Sequence, residues 1–156
     1  MKGYIAFYRG TSLISRIIRK FTWGEFSHVA YMFEDGRVIE AWHRGGVQER
    51  KSYHDGHTAG TRIERYQIEG MTVMQEELFV QALRHEIGCK YDLKGIVGFI
   101  RRRDINDMNK WFCSELIMQK LKDVGIELLL RIKPYQTSPT ELNVSPLLEL
   151  VDIVVV

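Results

Sequence analysis

Cysteine, proline and net charge are all scarce in this chain, and each scarcity removes a class of protein. Two Cys in 156 residues exclude a disulfide-stapled scaffold. A chain this long buries enough surface to fold without staples, so neither thiol has a required structural job. Three Pro exclude a Pro-rich linker or a collagen-like rod. Lys+Arg 22 against Asp+Glu 20 leaves a net charge of +2, far from the basic excess of a dedicated nucleic-acid binder, so no nucleic-acid partner is expected. No window reaches the ~18 apolar residues of a membrane helix. The apolar run Tyr4 to Tyr8, ended by Arg9, is too short for a signal-peptide core. The expectation is a cytoplasmic protein, where cysteines are free thiols more often than disulfides.

What is present is a globular composition, 45% hydrophobic and 27% charged. Without a repeat, linker or low-complexity tract, residues 1–156 read as one domain. Gly3 to Tyr8 reads as a first strand. Thr11 or Ser12 caps a short helix carrying Leu13, Ile14, Ile17, Ile18 and Phe21 on one face, with Gly24 placed as a helix C-terminal glycine or simply a loop glycine. Ser27–Phe33 and Arg37–Trp42 flank Asp35-Gly36, the strongest hairpin signal in the chain. Residues 44–60 read as loop with a short strand near Val47, and Thr61–Ile68 as a further strand. Thr72 and Gln75 make a capping box before a helix closed by Gly88. An apolar stretch runs from Gly95 to Ile100 and ends at Arg101-Arg102-Arg103. Leu116 to Val124 is helical, capped by Asn109 or Asp107 and stopped by Gly125. Extended pieces follow at Glu127–Ile132 and Asp152–Val156. Strands and helices without βαβ alternation imply an α+β fold.

Cys113, in Trp111-Phe112-Cys113-Ser114-Glu115-Leu116, falls at a helix start. Unpaired N–H groups there, with the positive end of the dipole, favour a thiolate and can donate to an oxyanion. Of the five histidines, His28 is the best basic partner, because it opens a strand. His43 follows the second strand, His54 and His57 lie in a Gly-rich loop, and His85 sits on a helix surface. A lone strand histidine is more often structural, so position alone does not assign it.

Ser27-His28-Val29, Asp35-Gly36, Val38-Ile39-Glu40-Ala41 and Gly46-Val47 are followed in order by Tyr91-Asp92, Phe112-Cys113-Ser114-Glu115-Leu116 and Ser138-Pro139-Thr140-Glu141-Leu142. This series resembles the permuted branch of the NlpC-type papain-like cysteine hydrolases, the YiiX-like proteins, from about Tyr4 to about Ser145. The resemblance implies a circularly permuted papain-like fold, with an antiparallel sheet or small barrel packed against helices. It also implies a triad: Cys113 as nucleophile, His28 as general base and acid, and Glu40 orienting the imidazole. Two positions depart from the family: Gly3-Tyr4 where Gly-Asp is common, and Ala30 where Gly is common.

Strand register opposes the triad at first sight. A two-residue turn at Asp35-Gly36 makes pair numbers sum to 71 and points Glu40 away from His28. A sum of 72 restores the face but sets Glu40 opposite Met32, four residues from His28. His43 is the fallback orienting residue.

Cys89 follows a helix end, where the dipole disfavours a thiolate, and reads as a small buried residue. Tyr91 matches a family block and is a substrate-pocket candidate; so is Trp42, which with Trp23 and Phe26 would frame an apolar pocket near His28. His54-Asp55-Gly56-His57 lacks further ligands at zinc-like spacing, so no metal and no cofactor are expected. Arg16, Arg19 and Lys20, and likewise Arg101–Arg103, read first as solvated faces; together they suit acidic lipid or phosphate and weak association with a membrane surface.

The expected function is a thiol hydrolase or acyltransferase acting on an amide or ester through a Cys113 acyl-enzyme. The resemblance spans amidases, peptidases and lipid acyltransferases; the permuted order favours a small amide or lipid-like substrate over peptidoglycan. The alternative is a non-catalytic binding or assembly module of the same fold, including one of phage origin. Composition assigns no oligomeric state.

Overall fold

The computed structural model of the chain describes residues 3–92 and 110–156. Among them, eight strands run in chain order: β1 (Gly3–Arg9), β2 (His28–Phe33), β3 (Val38–Trp42), β4 (Gly46–Arg50), β5 (Arg62–Ile68), β6 (Lys90–Tyr91), β7 (Lys110–Trp111) and β8 (Leu148–Val155). The α-helices among the described residues are α1 (Leu13–Thr22), α2 (Val73–His85), α3 (Cys113–Asp123) and α4 (Pro139–Asn143). Six strands form one antiparallel sheet in the order β4-β3-β2-β1-β5-β8, and β6 pairs with β7 in parallel. The fold is mixed α+β.

Side-chain alternation divides the sheet into two buried faces. Ile5, Phe7, Val29, Tyr31 and Ile39 face the helices, where Phe79, Leu83, Leu116, Ile117, Leu121 and Leu142 complete the larger core. Ala6, Tyr8, Ala30, Met32, Val38 and Ile63 form a smaller core on the other face. Every residue of β2 is therefore buried, and a polar side chain on that strand needs a partner.

The hairpin joining β2 to β3 takes neither expected register. Phe33 donates its N–H to the Arg37 carbonyl at 2.8 Å, and Gly36, at φ +88°, donates to the Phe33 carbonyl at 3.0 Å. The loop is Glu34-Asp35-Gly36, and its left-handed last residue is the reason glycine stands there. Tyr31 faces Ile39 and Met32 faces Val38, so pair numbers sum to 70. Continuing that register sets Glu40 opposite Ala30, two residues from His28 and on its face.

Elsewhere, Ser12 caps α1 and accepts the Ser15 N–H, and the Thr72–Gln75 capping box opens α2. The residue in the left-handed position after α1 is Trp23, at φ +52°, rather than Gly24. The run Glu127–Ile132 is bend and turn instead of strand, with Arg131 at φ +65°. There, Leu128 is buried and its carbonyl accepts the Ser145 hydroxyl at 2.6 Å, so tertiary contacts override the strand that its apolar run suggests. Phe112 is the cap position of α3, and the Glu115 carboxylate accepts its N–H at 3.4 Å. Asp107, Asn109, Gly95–Ile100 and the Arg101–Arg103 cluster lie outside the described residues.

Candidate active site

The site begins with the anchoring of β2. Ser27 donates its N–H to the Tyr8 carbonyl at 2.9 Å, and its hydroxyl donates to that carbonyl and accepts the Gly10 N–H, both at 3.2 Å. Just before it, the Phe26 N–H donates to Thr140 Oγ1 at 2.9 Å. Thr140 belongs to α4, opened by the Ser138–Glu141 capping box. The Ser138–Leu142 block thus fixes where the His28 strand starts.

His28 is the first residue of β2, and its Nε2 lies 2.6 Å from Glu40 Oε2. The other carboxylate oxygen, Oε1, forms an ion pair with Arg50 Nε at 2.6 Å. The Glu40 side chain has no exposed surface and that of His28 only 7%. Burial alone would raise the Glu40 pKa, but the charge and hydrogen bond of His28, with His57 and Arg50 close by, outweigh it and hold it at about 2. For His28, burial is the largest effect and pushes the imidazole below its ordinary 6.5, against the pull of Glu40. With Nε2 committed to Glu40, Nδ1 is the nitrogen left for proton exchange.

His57, from the Gly-rich loop, completes this cluster. It stacks on Tyr8 with ring centroids 4.4 Å apart, stands edge-on to Trp42 at 4.8 Å, and sets Nε2 3.9 Å from Glu40 Oε2. That nitrogen is buried without a hydrogen-bond partner among the described residues. Trp42 stands edge-on to His28 at 5.1 Å. A shallow cleft with a cavity of only about 20 Å³ opens beside these groups, lined by His28, Trp42, His57 and Tyr91 together with Ile14 and Ile18 of α1. Both expected pocket residues, Tyr91 and Trp42, therefore border His28. Trp23 does not: it is 96% exposed. Phe26 is buried against Phe7 at 5.5 Å, as core.

Cys113 is the first residue of α3 and is completely buried in the helix-side core. The backbone N–H groups of Val29, Ser114 and Cys113 itself donate toward its sulfur, which favours the thiolate. Burial outweighs them and pushes the thiol up to about 12. The sequence expectation of a lowered thiol pKa is thereby corrected: the helix start supplies the donors, but the dry core wins. His28 and Glu40 lie on the sheet face turned from α3. The halves are linked at the start of β2, where Val29 follows His28 and donates to Cys113. Tyr91 is the second link, lining the His28 cleft while its own ionisation is opposed first by burial and then by Cys113.

His43 makes no hydrogen bond to His28 among the described residues. Cys89 is half-buried rather than buried, and donates to Glu86 Oε2 at 3.4 Å. Burial first and Glu86 second raise its pKa. Arg50 and Tyr8, like His57, were not singled out from sequence.

No family model and no curated protein matches the chain. Among solved structures, it is similar to the crystal structure of the metalloprotein YiiX (DUF1105) from Escherichia coli O157:H7. The TM-score is 0.70 at 18% identity, covering 97% of this chain and 96% of that one. The chain has a YiiX-like fold. At that identity the likeness speaks for the fold alone. Among the described residues, no helix is long and apolar enough to cross a membrane.

Proposed function

We propose that the protein is a thiol hydrolase or acyltransferase of the permuted papain-like type, acting on an amide or ester. The observation that carries this reading is the buried His28–Glu40 pair at 2.6 Å, with His28 opening the strand whose next residue donates to the Cys113 sulfur. In the proposed reaction, His28 Nδ1 accepts the Cys113 proton as the sulfur attacks the substrate carbonyl. Glu40 holds the ring and stabilises the imidazolium. The N–H groups at the start of α3 face the developing oxyanion. The imidazolium then gives its proton to the departing amine or alcohol, leaving a thioester. Water or an acceptor hydroxyl or amine cleaves it, with His28 again acting as base. Cys113 is buried at rest and His28 lies on the other face of the sheet, so turnover requires the cleft to open as far as the sulfur and to bring His28 Nδ1 to it.

An activated nitrophenyl ester tests the reading. The expected result is a burst of nitrophenol and an acyl adduct mapped to Cys113, absent in Cys113→Ala and slowed at least ~10³-fold in His28→Ala. Equal acylation of Cys89 and Cys113, or a burst indifferent to His28, would leave the chain a non-catalytic module.

A second reading is favoured by one further observation. His28, Glu40 and His57 bring a carboxylate and two imidazole donors within 4.8 Å of one another. That donor set suits zinc in kind, and the unpartnered His57 Nε2 is a ready ligand. Such an ion would have to displace the Glu40–His28 contact, so it would compete with the triad. Calorimetric titration with Zn²⁺ separates the readings. A metal protein binds with Cys113→Ala as well as the wild type and loses binding in His57→Ala. A thiol enzyme without a metal site shows no saturable uptake.

A further inference from the structure

α1 has an apolar stripe that the fold leaves uncovered. Ile14 and Ile18 turn inward to the cleft beside His28. Leu13, Ile17 and Phe21, each four residues from the next, point out with 75%, 40% and 45% of their surfaces exposed. Trp23, at the helix end, is 96% exposed. Every charged residue of the helix is basic: Arg16, Arg19 and Lys20. No acidic side chain pairs with any of the three among the described residues. The nearby Glu25 is engaged by Arg9 at 3.0 Å.

We infer that α1 and Trp23 form a docking face for an anionic phospholipid bilayer. An exposed apolar stripe bordered by unneutralised cations, with a tryptophan at one end, is the pattern of a helix lying in the lipid interface. The apolar residues enter the acyl boundary while Arg16 and Lys20 meet the lipid phosphates. A second copy of the chain would set like charges of two α1 helices against each other, so complementarity favours lipid over self-association. The inner side of the same helix lines the cleft, so docking brings the mouth of the site to the membrane. Given the hydrolase reading, which this last step rests on, the substrate is a lipid ester or amide drawn from that surface.

Co-sedimentation with vesicles of phosphatidylcholine alone, or containing about 30% phosphatidylglycerol, tests the surface independently of catalysis. The expected result is binding to anionic vesicles at least ~10-fold above that to neutral ones, falling steeply with salt. The pair Ile17→Asp and Phe21→Asp should lower it at least ~10-fold. Arg16→Glu with Lys20→Glu should abolish the preference for anionic lipid. Trp23→Gly, which suits the left-handed position, should weaken binding without unfolding the chain, as checked by circular dichroism. Cys113→Ala should bind like the wild type; if it does while acylation fails for every ester, the docking face stands and the hydrolase reading falls. Equal binding to both vesicles, or binding unchanged by Ile17→Asp and Phe21→Asp, would overturn the inference. So would a lipid-free dimer that dissociates in Phe21→Asp.

Discussion

Glu40 is a carboxylate with no exposed surface, held between an imidazole and a guanidinium at 2.6 Å each. A buried charge in that position costs several kcal/mol of desolvation, so removing a partner is worse than never having had the pair. Arg50→Met is expected to destabilise the fold by about 3–5 kcal/mol, read from urea denaturation. Glu40→Gln keeps a polar group beside His28 but no longer stabilises the imidazolium. It should slow acylation of Cys113 on the order of 10⁴-fold while leaving the chain folded. The titration sign follows from the shifts. Glu40 ionises near 4.5 in the unfolded chain and at about 2 in the folded one. Its contribution is in place above pH 4.5 and is lost as pH falls toward 2. His28, lowered by burial, adds a loss of stability below pH 6.5. Cys113, raised from 9.0 to about 12, contributes stability that disappears as pH rises through that window. The difference in unfolding free energy between wild type and Glu40→Gln should therefore shrink below pH 4.5. That between wild type and Cys113→Ala should shrink above pH 9.

At the scale of elements, the close approach of β4 to the turn before β6 holds the cleft wall carrying Tyr91. Val47 donates to the Cys89 carbonyl and Gly88 to the Val47 carbonyl, both at 2.9 Å. Gly46 permits this, since a Cβ there would stand 2.0 Å from the Cys89 carbonyl oxygen, and its φ is +74°. Gly46→Ala should cost at least ~2 kcal/mol from clash and backbone strain together, visible as a lower Tm. Local signals of this kind were legible where chemistry and position coincide. Thr72 with Gln75 and Asp35-Gly36 each mark an element end with side chains that bond their own neighbours, whereas the Ser138–Glu141 capping box was not read as one. The left-handed Trp23 was not legible, because glycine stands next to it and is the usual occupant. Glu127–Ile132 was misread because its apolar run serves burial of Leu128 rather than strand pairing.

At the scale of the whole molecule, one sheet supports two buried faces, and the candidate chemistry is divided between them. Cys113 belongs to the helix-side core; His28 and Glu40 belong to the other side and come together through the three-residue loop at Gly36. The pairing of His28 with Glu40 was within reach of the sequence only through resemblance, since either expected turn gave the wrong register. His57 and Arg50 were out of reach. They arrive from the segment that folds back over the smaller core, tied by the Tyr53 N–H to the Gly36 carbonyl at 2.9 Å, and no periodicity announces such a return. The packing that sets α3 against β2 should be unforgiving: Leu116→Ala is expected to cost about 2–5 kcal/mol by urea denaturation.

The central claim, that His28 activates a thiol which does not ionise by itself near neutral pH, is tested most directly by the pH dependence of Cys113 alkylation. Site-resolved iodoacetamide labelling would be followed by mass spectrometry from pH 4 to 10. The account predicts a Cys113 rate that rises through a midpoint below 6.5 and then levels, lost in His28→Ala, with Cys89 rising only above pH 9. A Cys113 rate that climbs only toward pH 9 and beyond, unchanged in His28→Ala, would contradict it.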